Sequence, residues 1–212
     1  MAPIDTDAHF FGRVAASYTH EIKNVLATIN EAGGLMEDIL SLDPEKKIEL
    51  LDKLPRSLGV IQEQIERGQH LTSQFNTFAH AADHDPAHFE LHDTLDMMVD
   101  LTQRLARRNR VTLEVQADVQ SRLAVTPVAF LKLLFSSILW SVSQSAKDDT
   151  VLLGADQPTD AVAIFLQLQQ VPEKDPQDHE TWPGLEGLAR GINGSVHWDP
   201  SQKRLVISVP KN

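Results

Sequence analysis

The 212-residue chain has no cysteine, which excludes disulfides, thiolate zinc sites, iron–sulfur clusters and cysteine nucleophiles. Basic side chains are in short supply, with 19 Lys+Arg against 30 Asp+Glu and a formal net charge of −11. An excess of that size and sign argues against general nucleic-acid or anionic-membrane binding. No apolar run approaches the roughly 20 residues that cross a bilayer, and the longest, such as 161–166, have strand length. The opening residues lack a basic region followed by an apolar core, so no secretory leader is expected and a cytoplasmic location is. What is present suffices for a folded core, with 42% hydrophobic and 23% charged residues.

The first eighty residues carry helical periodicity. Apolar positions run Phe11, Val14, Tyr18, Ile22, Val25, Ile29, Ala32, Met36 and Ile39, at alternating spacings of three and four. Asp43 and Pro44 then read as an N-cap and first helical position. A second stripe follows at Ile48, Leu51, Leu54, Leu58, Ile61, Ile65, Leu71, Phe75 and Phe78, with Pro55 expected to kink it. One helical pair cannot bury both stripes, whereas two copies would form a four-helix bundle, so a homodimer is expected. Pro86 marks a linker over 83–88. Beyond it helices are expected over 91–107, 127–145 and 185–192, and strands near 111–115, 122–125, 150–153 and 161–168. A hairpin is expected around Asp199. The fold class is therefore α+β: a helical hairpin (1–82), a linker (83–88) and one sheet with helices on one face (89–212).

His20 lies two residues from both Tyr18 and Ile22, so at about 100° per residue it points to the solvent side of the first helix. Glu21 follows it, and Asn24 lies one turn on. The segment His20-Glu21-Ile22-Lys23-Asn24-Val25-Leu26 resembles the phosphoacceptor motif of two-component sensor histidine kinases, with Val25 in place of the usual proline. The second helix, from Glu66 to Phe78, resembles the family's second-helix ending, and the layout after residue 88 resembles its ATPase domain. The resemblance implies that His20 accepts a phosphoryl group and that Glu21 and Asn24 assist in transfer and in dephosphorylating a partner receiver domain. Neutral imidazole is a competent nucleophile, and a carboxylate beside it can orient the ring and take its proton. Arg13, Ser17, Lys23 and Ala27 are expected to share His20's exposed strip and to contact the receiver.

The resemblance fails at the ATP site. The family's Asn-containing helix corresponds to Leu134–Trp140, where Ser136 and Trp140 stand at the two Asn positions. No Asp-x-Gly-x-Gly lies between 161 and 181, and the glycines at 184, 187, 191 and 194 read as helix-end and hairpin glycines rather than a phosphate cradle. The expected protein is therefore a histidine phosphotransferase of the histidine-kinase type. It would use no ATP or metal of its own, with Mg²⁺ supplied by the receiver, and its partners would be receiver domains and a second copy of itself. The alternatives are a divergent ATP-dependent kinase and a non-catalytic scaffold. Among weaker signals, His80, His84, His88 and His92 recur every fourth residue but read as linker rather than metal ligands. Arg104, Arg107, Arg108 and Arg110 read as a solvated helix end, and the three tryptophans as core residues, Trp140 plugging the former nucleotide pocket.

Overall fold

The computed structural model describes residues 6–83, 87–116, 121–157, 160–170 and 176–210. Helix α1 (Asp7–Ser41) opens with the Thr6 hydroxyl accepting from the His9 backbone N–H at 3.1 Å, satisfying one of the orphan donors of the first turn. A short helix α2 (Pro44–Leu50) leads into α3 (Lys53–His80), which returns antiparallel to α1. Pro55 does not kink a helix interior. It sits in the first turn of α3, where a missing N–H is tolerated, and the second stripe breaks into two helices at 51–52.

The α/β half comprises β1 (Ala87–Glu90), α4 (Leu91–Arg107), β2 (Thr112–Val115), β3 (Arg122–Val125) and α5 (Pro127–Gln144). It continues through β4 (Thr150–Asp156), β5 (Ala161–Gln167), α6 (Trp182–Arg190), β6 (Ser195–Asp199) and β7 (Arg204–Pro210). Two sheets form rather than the single one expected. β1 pairs antiparallel with β3, taking up the end of the segment read as a linker. The main sheet runs β2-β4-β5-β7-β6, with β2 parallel to β4 and the other pairs antiparallel. Val151, Leu153, Val162, Ile164, Leu166, Leu205, Ile207 and Val209 alternate inward along the strands and bury one sheet face against α4, α5 and α6. At the β6 end, a Cβ on Gly194 would lie 2.6 Å from the Ser208 carbonyl oxygen, so only glycine lets the chain enter the strand there.

Helix α5 is apolar on nearly every side. It is long and apolar enough by length and composition to cross a membrane, a property the strand-length runs did not suggest, yet 72% of it is buried inside the protein. It is the central core helix, and it meets the hairpin through aromatic rings: Phe10 packs on Phe135 at 5.3 Å and edge-on against Phe78 at 5.5 Å. An ion pair from Lys132 Nζ to Asp7 Oδ1 (3.1 Å) closes the same seam. Because α1 packs on α4 and α5 as well as α3, its buried arc is wider than a two-helix stripe. Phe10, Val14, Ser17, Glu21 and Val25 are buried, while Phe11, Tyr18 and Ile22 are half-buried.

Candidate functional site

His20 is exposed on α1, three turns into a long, capped helix. The Asn24 amide nitrogen lies 3.3 Å from His20 Nδ1 and 3.5 Å from Glu21 Oε1. An amide NH₂ has two hydrogens, so Asn24 can donate to both at once. That arrangement leaves Nδ1 as acceptor and Nε2 facing outward. Rotating the amide would present Oδ1 to an Nδ1–H and give up the donation to Glu21, so Asn24 can hold either tautomer of the ring but bonds Glu21 in only one orientation.

Glu21 lies differently from a side chain sharing the His20 surface. It is buried, and its Oε2 accepts from Arg67 of α3 at 2.7 Å. Glu21 is joined to His20 through Asn24, and its charge is met by a guanidinium whose side chain is 40% exposed. Carboxylate, guanidinium and amide thus form a chain from α3 to the imidazole that fixes the rotamers beneath it.

The expected contact strip divides. Lys23 and Ala27 are exposed with His20. Ser17 is not, with 1% of its surface accessible, its hydroxyl without a partner among the described residues. The reason is the wider buried arc: Val14, Ser17, Glu21 and Val25 follow one another at spacings of three, four and four along the seam toward α3 and α4. Arg13 is half-buried and turns to the α/β half, its guanidinium 5.4 Å from the centre of the Phe135 ring. Sequence reading also missed a contact beside the site. His70 Nε2 of α3 meets Asp100 Oδ2 of α4 at 2.7 Å, tying the hairpin to the α/β half. Only the second-helix pattern around His70 pointed to it.

The resemblance would put a nucleotide and metal at α5, α6 and the adjoining strands. Trp140, Trp182 and Trp198 are all at least nine-tenths buried there, with ring centroids 5.6 and 6.0 Å apart in edge-to-face pairs. Ser136 is half-buried, and no side-chain amide stands at either position that would hold a metal. Gly184 and Gly187 lie inside α6 rather than in turns, and no glycine has a positive φ among the described residues. Residues 171–175 of the expected second signature lie outside the described residues.

The histidine series also separates. His80 pairs with Asp83 at 2.7 Å, His92 with Asp96 at 3.3 Å, and His88 is exposed in β1. His84 lies outside the described residues, among which no three His, Asp or Glu side chains converge as a metal site.

The chain is similar to the catalytic domain of the histidine kinase ThkA, with a TM-score of 0.50 and 13% identity, over 59% of this chain and 95% of that one. It is similar over 95% of its length, and 62% of the other chain, to the histidine kinase ThkA in complex with response regulator protein TrrA, with a TM-score of 0.50 and 15% identity. No family model and no curated protein matches the chain. At these identities the likeness is one of fold: a long helical region followed by a histidine-kinase-like ATPase α/β arrangement.

Proposed function

We propose that this protein is a histidine phosphotransferase, passing phosphoryl groups between His20 and the aspartate of receiver domains without using ATP. The observation that carries the reading is an exposed imidazole, held at Nδ1 by Asn24, and a buried cluster of Trp140, Trp182 and Trp198 where the resemblance would put the nucleotide supports it. With its proton on Nδ1, the neutral ring attacks through the Nε2 lone pair. The N–P bond forms as the acyl-phosphate P–O bond of the receiver breaks, and the aspartate leaves as carboxylate. The imidazolium that results keeps its Nδ1–H, which Asn24 Oδ1 accepts after amide rotation. Glu21, held by Arg67, then supplies negative charge at one remove, and transfer back to a second receiver is the same step in reverse. The receiver brings Mg²⁺ and its own acidic pocket.

Two further parts of the proposal concern assembly. Among the described residues, the large apolar side chains that remain exposed, including Leu26, Ile48, Leu58 and Ile65, all fall between residues 26 and 65, at the end of the hairpin away from the α/β half. A second copy packing there would complete a four-helix bundle. The division into a hairpin over 1–82 and an α/β unit from 89 onward follows the same logic, with His20, Lys23 and Ala27 forming the receiver-facing strip. That a similar kinase was solved with a response regulator supports this choice of partner.

Two incubations separate the readings. A receiver domain phosphorylated on its aspartate should label the wild type and not His20→Ala, while ATP with Mg²⁺ should label neither. Self-labelling by ATP at His20 would replace this reading with that of a working kinase. Receiver binding without transfer, unchanged in His20→Ala, would leave a scaffold.

A further inference from the structure

Where α1 crosses the end of α4 and the last turns of α5, the protein has an open cleft of about 310 Å³. Its walls are Leu105, Leu139 and Val142, and its polar groups are Arg13, Arg108, Asn109 and Ser143. Among the described residues no carboxylate lines it, in a chain with a net charge of −11. Burial, and then the nearby Arg108 charge, lower the Arg13 pKa from its ordinary value.

Dipole compensation does not explain this pairing. Arg104 and Arg107 already occupy the last turn of α4, where cations suit the terminal carbonyls. Asn109 Nδ2 also donates to the Leu105 carbonyl at 3.0 Å, covering part of that helix end. Arg13 comes from near the start of another helix, an end that disfavours a cation. It is fixed over the Phe135 ring and brought toward a like charge. Arg108 makes no ion pair among the described residues, whereas Arg110, two positions on, pairs with Asp148 at 2.5 Å and lies outside the cleft. Two arginines lining one cleft with apolar walls suit the forked geometry with which arginine grips phosphate oxygens. The volume is at the small end of ligand pockets.

We propose that this cleft binds a small phosphate-bearing anion, gripped between Arg13 and Arg108, with Leu105, Leu139 and Val142 against its apolar part. Such a ligand bridges α1 to α4 and α5, and so braces the hairpin against the α/β half two turns before His20. The inference is independent of the phosphotransfer reading, since neither arginine is assigned a part in the chemistry at His20.

Isothermal titration of the full-length protein with inorganic phosphate, pyrophosphate and adenosine monophosphate, at constant ionic strength and with chloride as the blank, tests it. The three probes distinguish a bare phosphate site from one that also uses the apolar wall. Saturable binding of at least one is expected. Arg108→Ala should weaken it by about tenfold or more, the scale of one lost charge-assisted contact, and Arg108→Lys by less. Arg110→Ala should leave it unchanged. Circular dichroism confirms that each variant is folded, which the exposure of both residues makes the expected result. Absence of saturable heat up to about 10 mM of every probe, or equal weakening by Arg108→Ala and Arg110→Ala, would overturn the proposal.

Discussion

Asn24 stands between the imidazole and the buried Glu21 carboxylate, so it is the side chain that links the two. Replacing it by alanine should leave His20 able to take a label from a phosphorylated receiver. The same change should slow loss of the receiver's phosphoryl group to water by about 10²-fold, the scale of a misplaced reactant. Phosphate release measured with the wild type and Asn24→Ala checks this, and equal rates would assign Asn24 no part in hydrolysis. His20 itself was legible because exposure follows from two partly buried neighbours at helical spacing. The inward turn of Ser17 and Glu21 was not, because it depends on α4 and α5 packing across α1, which no pattern within the first eighty residues encodes. The same seam contains a pH-sensitive group. Burial holds the Asp100 carboxyl above its ordinary range, against the hydrogen bond and charge of His70. Its folded pKa therefore exceeds its unfolded one. The native state binds the extra proton between the two, so this contribution to stability falls as pH rises from about 4 through the raised pKa and is flat above it. In urea denaturation across that range, the wild type should lose stability relative to Asp100→Asn. A difference between the two that does not change with pH would contradict the assignment.

Elements were most readable where one signal ended them. Pro44 and Pro127 sit at helix starts, and the strands at 122–125 and 161–167 coincide with their apolar runs. The strand β1 was not readable, since its four residues follow Pro86 and gain strand character only from the β3 ladder. Pro55 misled for a related reason: proline is compatible with a first turn and hostile to an interior, and the apolar stripe alone could not say which applied. Gly194 gives an element-scale test. Alanine there must push its Cβ against the Ser208 carbonyl, displacing β6 from β7. Gly194→Ala should cost about 1–3 kcal/mol in guanidinium unfolding, whereas Gly187→Ala, which meets open space inside α6, should be neutral or stabilising. Equal effects would show that β6 accommodates the side chain.

At the scale of the whole molecule, the apolar surface is divided unevenly. The α/β half and the base of the hairpin share one core, while the far end of the hairpin keeps leucines and isoleucines in solvent. Leu58→Glu with Ile65→Glu should convert a dimer to a folded monomer in sedimentation velocity, and a monomeric wild type would remove the four-helix bundle from this description. The fold itself resembles a kinase core, so the claim that most needs testing is that phosphoryl groups enter His20 from a receiver and not from ATP. The direct measurement is intact-protein mass spectrometry at neutral pH, where phosphohistidine survives, after mixing the protein with a phosphorylated receiver domain or, separately, with ATP and Mg²⁺. One phosphoryl group localised to His20 in the first mixture and none in the second is the predicted result. Phosphorylation by ATP, or receiver-derived label that persists in His20→Ala, would contradict it.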